Sequence, residues 1–254
     1  MIRRFNRYEL KYVVDARRYH ALIDDLRHFM VPDSHGDPGG SYPVVSLYYD
    51  SPEFEAYYSK IEGLRFRRKL RLRVYPPGGD VRRVTVGHVE IKQRINRTVQ
   101  KRRLVLPLAQ AEALCRAHEP PSELDALDAA VASEVHYMVR AQQLRPAAIV
   151  SYRRQAFVAE RFDTGMRVTF DSNLRGRMNA LKINERARNH FFLPPDRLVL
   201  EVKVNERIPH FMVTLLARHE CVLTRMSKYC AVVSHEQARL GRALARREDE
   251  PWMI

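Results

Sequence analysis

The sequence predicts an α+β fold built on an antiparallel sheet or barrel of about eight strands. Two observations predict it. Segments such as Leu70-Arg71-Leu72-Arg73-Val74, Val89-Glu90-Ile91-Lys92 and Leu200-Glu201-Val202-Lys203-Val204 alternate an apolar residue with a charge, the period of a strand with one buried face. The links between such segments are mostly hairpin turns or short helices, which suit antiparallel neighbours.

Taken in order, Phe5 to Val14 reads as a strand, and Asp15 is a side-chain cap for a helix from Ala16 to Met30. The glycines and prolines between Pro32 and Pro43 mark a loop. Val44 to Asp50 is a strand, followed by a short helix around Glu53, Ala56 and Tyr57. Arg67 to Tyr75 and Val84 to Arg94 are strands joined by Pro76-Pro77-Gly78-Gly79-Asp80, and Thr98 to Leu106 is a further strand. A block rich in Ala, Leu and Glu predicts helices over Leu108 to Ala117 and Glu123 to Leu144, split by Pro120-Pro121. Strands resume at Ala148 to Ala159, Met166 to Asp171 and Leu198 to Asn205. Helices over Pro209 to His219 and Ser234 to Arg247 complete the chain, which ends in a basic tail. With no linker or internal repeat, residues 1–254 read as one domain.

The 254 residues carry 44 Lys and Arg against 30 Asp and Glu, a net charge of +14. That balance calls for a polyanionic partner: nucleic acid, an anionic membrane or a phosphate-rich substrate. The three cysteines lack CxxC spacing, which indicates neither a zinc site nor a disulfide framework. The N-terminus has no apolar signal region, and no apolar run approaches the ~18 residues that span a bilayer, so the expected address is the cytoplasm. Neither a GxxxxGK[ST] loop, a GxGxxG fingerprint nor a GxSxG elbow is present.

The charged faces themselves carry the functional signal. Lys69, Arg71 and Arg73 share one face, as do Glu90, Lys92 and Arg94, Lys101 and Arg103, Arg167 and Asp171, and Glu201 and Lys203. Residues two apart on a strand lie roughly 6.6 Å apart, so like charges there repel by about 2.5 kcal/mol at an effective dielectric near 20. Any one such face is explained by solvent. Convergence of several would need bound anions to offset the repulsion, and arginine suits bidentate phosphate contacts. Glu9, Glu90 and Glu201 each precede a lysine by two positions, setting a carboxylate for a hard divalent cation beside a cation for phosphate.

These segments resemble a known family. Arg7-Tyr8-Glu9-Leu10-Lys11-Tyr12, Ser46-Leu47-Tyr48-Tyr49-Asp50, Arg71-Leu72-Arg73 and Val89-Glu90-Ile91-Lys92 occur in the order found in the VTC domain. The likeness continues through Ser151-Tyr152-Arg153-Arg154-Gln155-Ala156-Phe157, Arg167-Val168-Thr169-Phe170-Asp171, Leu200-Glu201-Val202-Lys203 and Ser227-Lys228-Tyr229, covering about residues 5–233. VTC is the catalytic domain of the vacuolar transporter chaperone polyphosphate polymerase, within the triphosphate tunnel metalloenzyme superfamily.

The resemblance implies a closed antiparallel barrel of about eight strands, helices packed outside, with a tunnel lined by Arg, Lys and Glu. It implies a metal-dependent polymerase that passes the γ-phosphoryl of ATP to the end of polyphosphate. Lys11, Arg71, Arg73, Lys92, Arg154, Arg167 and Lys203 would carry the catalytic charge. Lys69, Glu90, Lys101, Arg103, Tyr152, Ser227 and Lys228 would contact substrate, and Glu201 would hold Mn²⁺ or Mg²⁺. The triphosphatases of the superfamily begin with ExExK, whereas Arg7, Glu9 and Lys11 stand at those positions here. The first acid is replaced, which favours transfer over hydrolysis. The eukaryotic complexes also carry an SPX sensor domain and membrane helices, neither of which this sequence shows, so a membrane link would need a partner protein. Two alternatives stand beside the polymerase: a triphosphatase of the same fold, and a non-catalytic polyphosphate or nucleic-acid binder. A closed tunnel is too narrow for nucleic acid, so none is expected as a partner.

Overall fold

The computed structural model describes residues 8–96, 98–159, 165–205 and 207–248. The expected strand residues Phe5 to Arg7 and the end of the basic tail lie outside them. Among the described residues ten strands belong to one sheet, and every pairing is antiparallel. In chain order they are β1 (Tyr8–Asp15), β2 (Val31–Pro32), β3 (Ser41–Asp50), β4 (Phe66–Val74), β5 (Val86–Ile95), β6 (Thr98–Pro107), β7 (Arg145–Val158), β8 (Arg167–Arg177), β9 (His190–Phe191) and β10 (Arg197–Val204). The main path runs β1-β10-β8-β7-β3-β4-β5-β6, with β2 added to β7 and β9 to β8.

The helices are α1 (Ala16–Leu26), α2 (Glu55–Ile61), α3 (Leu108–Leu114), α4 (Ala126–Ala141), α5 (His210–Arg218) and α6 (Lys228–Glu248). Asp15 caps α1 as expected, accepting from the Arg18 N–H at 2.8 Å. Several boundaries differ from the sequence reading, among them the end of α1 at Leu26 instead of Met30, the start of β3 at Ser41 instead of Val44 and the shorter α4. The expected Met166–Asp171 strand continues as β8 to Arg177, across a register shift where Asn173 adopts φ of 53°. Asparagine tolerates that left-handed geometry, so the Ser-Asn pair bulges the strand instead of ending it. The 145–158 strand begins three residues earlier than expected. The last helix begins at Lys228, not Ser234, because Tyr229, Cys230, Val232 and Val233 are buried against the sheet. Packing there outweighs the weak helix preference of valine and tyrosine.

Alternation splits the sheet into two faces. On the outer face Leu70, Leu72, Val89, Ile91 and Leu104 pack against Ala111 and Leu114 of α3 and Val135 and Met138 of α4. Around the sheet, Val168, Phe170, Leu200 and Val202 pack against Leu22 and Leu26 of α1 and Met212 and Leu215 of α5. The third cluster joins the start of α6 to Val44, Val150, Tyr152 and Val199 on the other face. That face curls inward: Lys92 on β5 forms an ion pair with Glu9 on β1, although the two strands lie near opposite ends of the path. Among the described residues strand pairing does not close the sheet, so the closed barrel that the family resemblance implied is not shown. Among the described residues β1 and β6 are the two edges and share no ladder; the Lys92–Glu9 pair reaches across the seam.

Gly176 marks where α6 enters. A Cβ at this position would strike both methyls of Val232 and lie 2.8 Å from the Ile149 carbonyl oxygen. Gly176→Ala is therefore expected to lower stability by about 1–3 kcal/mol. Gly241 lies on α6, where an added Cβ would meet nothing within 4 Å, and Gly241→Ala should raise stability by about 0.5–1 kcal/mol. Thermal denaturation of the two variants checks both signs.

Candidate functional site

Strand register brings nearly all the charged positions onto the inner face. Starting at one edge, Lys11 lies opposite Glu201, and Glu9 opposite Lys203. Glu201 lies opposite Thr169, and Lys203 opposite Arg167. Asp171 then lies opposite Arg154. Across β3, Ser46 pairs with Arg73 and Tyr48 with Arg71. Arg71 faces Glu90 and Lys69 faces Lys92, while Glu90 faces Arg103 and Lys92 faces Lys101. Arg102 points the other way, to Glu134 at 2.6 Å.

Two buried carboxylate centres organise this face. Glu90 is fully buried and is reached by Arg71 and Arg103 at 2.6 Å and by Lys101 at 2.5 Å. Burial alone would raise its pKa, but Arg71, Arg73, Lys101 and Arg103 outweigh that and hold it far below the carboxylate range. The second centre joins Glu201 and Asp171 through Lys228, whose ammonium lies 2.7 Å from one and 2.6 Å from the other. Arg154 grips Asp171 with two bonds of 2.7 Å, the fork geometry that makes arginine pairs directional. Lys203 at 3.0 Å and Lys11 at 3.5 Å complete the ring around Glu201. Its carboxyl is likewise held well below the usual range, with burial opposing and the lysines prevailing.

Aromatic hydroxyls and rings knit the cations together. Arg73 donates to Tyr152 Oη and to Ser46 Oγ, each at 3.1 Å. Arg154 and Lys228 both lie over the Tyr152 ring, at 5.3 and 5.1 Å from its centroid. Arg167 donates to Tyr42 Oη at 2.9 Å and pairs with Asp33 at 2.6 Å. Lys69 lies 3.2 Å from Cys230 Sγ.

The strand residues singled out in the sequence thus meet on one face. Ser227 is placed differently: its hydroxyl accepts from the Cys230 N–H at 3.4 Å, at the start of α6. Sequence reasoning missed Tyr48, Ser46, Tyr42 and Asp33 as members of the site, and left Asp171 without a role. The alternation in Ser46-Leu47-Tyr48 was a usable signal for two of them. Asp33 lies in a loop, where no periodicity points to a face.

Comparison with known proteins identifies the family. The VTC domain model matches residues 6–235. The chain belongs to the VTC domain family. Among solved structures, a candidate adenylate cyclase from Bacillus halodurans shares the fold at 15% identity, with a TM-score of 0.51, covering 87% of this chain and 95% of that one. A candidate adenylyl cyclase from Hippeastrum, described as having a dominant triphosphatase activity, aligns at 12% identity with a TM-score of 0.48, covering 89% and 95%. No curated protein matches the chain. The VTC assignment places the protein among the triphosphate tunnel metalloenzymes, which as a group use divalent metals.

The VTC inner face fits such an ion in one way. Among the described residues no three His, Cys, Asp or Glu side chains converge on one point, and Glu201 is ringed by cations. A hard cation held by one or two carboxylates, with phosphate oxygens and water as its other ligands, suits this donor set. Also among the described residues, no helix is long and apolar enough to cross a membrane.

Burial, with Arg154 adding repulsion and Glu201 opposing both, pushes the Lys203 ammonium down to about 8. Only the protonated form attracts an anion, so tripolyphosphate affinity should fall as pH rises through this value. Lys203→Arg stays charged throughout. Calorimetric titration from pH 6.5 to 9 is expected to show a loss of several-fold more in the wild type than in Lys203→Arg; equal profiles would show that Lys203 keeps its charge across this range.

Proposed function

We propose that this VTC domain is a metal-dependent polyphosphate polymerase, transferring the γ-phosphoryl of ATP to a growing polyphosphate chain. One observation carries the reading: the inner face holds a large surplus of cations, and each of its carboxylates is already bound to them. Eleven lysines and arginines meet five carboxylates: Glu9, Asp33, Glu90, Asp171 and Glu201. That surplus exceeds what one metal-bound triphosphate neutralises and suits a donor and a polyanionic acceptor together.

The state of the acids separates transfer from hydrolysis. Glu9, Glu90, Asp171 and Glu201 are all shifted to lower pKa by their cationic neighbours against the effect of burial. Carboxylates stabilised in this way are weak bases and poor activators of water. A terminal phosphate of polyphosphate is already ionised and needs no base. Phosphoryl transfer then requires alignment and dispersal of charge, which Arg71, Arg73, Arg154, Arg167, Lys11, Lys92 and Lys203 supply. Lys69, Lys101, Arg103, Tyr152 and Lys228 hold the remaining phosphates, with Glu90 orienting its four cations. Glu201 would hold Mn²⁺ or Mg²⁺ on phosphate oxygens, where the ion supplies further charge neutralisation.

The deciding experiment incubates protein with ATP and Mn²⁺, with and without a short polyphosphate primer, and resolves products by ³¹P NMR. Internal phosphoanhydride signals growing alongside ADP are expected. Orthophosphate alone would make the protein a triphosphatase, and binding without turnover a polyanion-binding module. Glu201→Gln should cut turnover by about 100-fold or more while polyphosphate affinity is kept or rises, because the variant removes a negative charge. Unchanged turnover would rule out Glu201 as the metal ligand.

A further inference from the structure

The inner-face cation row does not stop where the buried carboxylates stop. On β4 the same face continues from Arg73, Arg71 and Lys69 to Arg67, and on β5 it reaches Arg94, which lies directly opposite Arg67. Lys60 lies on α2, next to Ser59, which lines one cavity with Arg67. Its ammonium is pushed down first by burial and then by Arg67, Lys69 and Arg94, while Arg67 is pushed down by burial and by Arg94. Cations that depress one another in this way are crowded, with the Cys230 thiol alone opposing the effect.

Their hydrogen bonds agree. Arg67 donates to the Leu64 carbonyl and Arg94 to the Asn96 carbonyl, while Lys69 meets only the Cys230 thiol. Among the described residues, none of Lys60, Arg67, Lys69 and Arg94 forms an ion pair, whereas Arg71, Lys92, Lys101 and Arg103 each do. Beside them is a cavity of about 380 Å³, lined in part by Tyr58, Ser59, Arg67 and Lys69. Glu55 and Glu62 also line it, without pairing to these cations. Meanwhile α6 occupies the adjoining part of the inner face, with Tyr229 under the Lys69 ammonium at 4.9 Å.

We propose that Lys60, Arg67 and Arg94 form an outer ledge that binds the distal part of a long inorganic polyphosphate chain as it leaves the inner face beside α6. This rests on the polyphosphate reading and deepens it, because a ledge of this kind serves a long chain and not a nucleoside triphosphate. A bare phosphate polymer is favoured over RNA because the ledge continues the inner row without a break.

The test uses the full chain and the triple variant Lys60→Ala/Arg67→Ala/Arg94→Ala, leaving intact every residue placed in the candidate site above. Affinities for tripolyphosphate and for polyphosphate of about a hundred units are measured by calorimetry, together with the salt dependence of the long-chain affinity. The variant should bind tripolyphosphate as the wild type does and lose about tenfold or more on the long chain. Its log–log salt slope should fall by about two, given roughly 0.7 per phosphate contact on a single strand. Equal loss on both ligands, or no loss on the long chain, would overturn the ledge while leaving the inner-face reading in place. If the wild type binds neither ligand, the polyphosphate reading fails and the ledge with it. A single-stranded RNA that the wild type binds as tightly as polyphosphate, and the variant does not, would reassign the ledge to nucleic acid.

Discussion

The structure is organised around one electrostatic constraint: many cations must share one concave face of a sheet. At strand spacing each like-charged neighbour costs about 2.5 kcal/mol in a medium of dielectric near 20, and burial removes the water that would screen it. Glu90 answers this on the β4–β6 side and the Glu201–Asp171 pair on the β8–β10 side. Removing one partner from such a buried group would cost about 3–5 kcal/mol, since the other charge would be left behind. The carboxylates thus keep the protein folded without ligand, and still leave a surplus of positive charge.

Everything outside this face serves to hold it in place. Because strand side chains alternate, each inward charge implies an outward apolar neighbour, and those neighbours form the two cores covered by α3 and α4 and by α1 and α5. A stiff outer shell fixes the directions in which Arg71, Arg73 and Arg154 point. Asp50 adds a second restraint. Buried at the end of β3, it accepts from the Ala56 and Tyr57 N–H groups at 2.8 and 3.0 Å and from the Tyr229 hydroxyl, so one carboxylate ties α2 and α6 to the sheet. The position of α6, and with it of Lys228, depends on this tie.

Local patterns carried a large part of the site. In Leu70-Arg71-Leu72-Arg73 and Leu200-Glu201-Val202-Lys203 the period alone separates inward from outward residues, and the ladder registers agree. Other members were invisible for definable reasons. Asp33 reaches Arg167 from a loop, and Asp171 finds its partners on β7 and α6, far away in the chain. Arg102, between two inward cations, faces outward to Glu134 on α4. The early start of α6 likewise reflects burial of Tyr229, Val232 and Val233, a tertiary effect that no local propensity encodes.

The amino-acid sequence by itself determined the strand pattern, the face to which each charge belongs, the basic balance and the family. These follow from period, composition and short motifs, which are properties of neighbours along the chain. The tertiary structure decided how the faces close upon one another. It placed Glu9 against Lys92 across a seam with no strand pairing, inserted Lys228 between two carboxylates and left Lys60, Arg67 and Arg94 crowded outside. Such outcomes depend on strand stagger, curvature and helix docking, which are set by contacts between residues far apart along the chain.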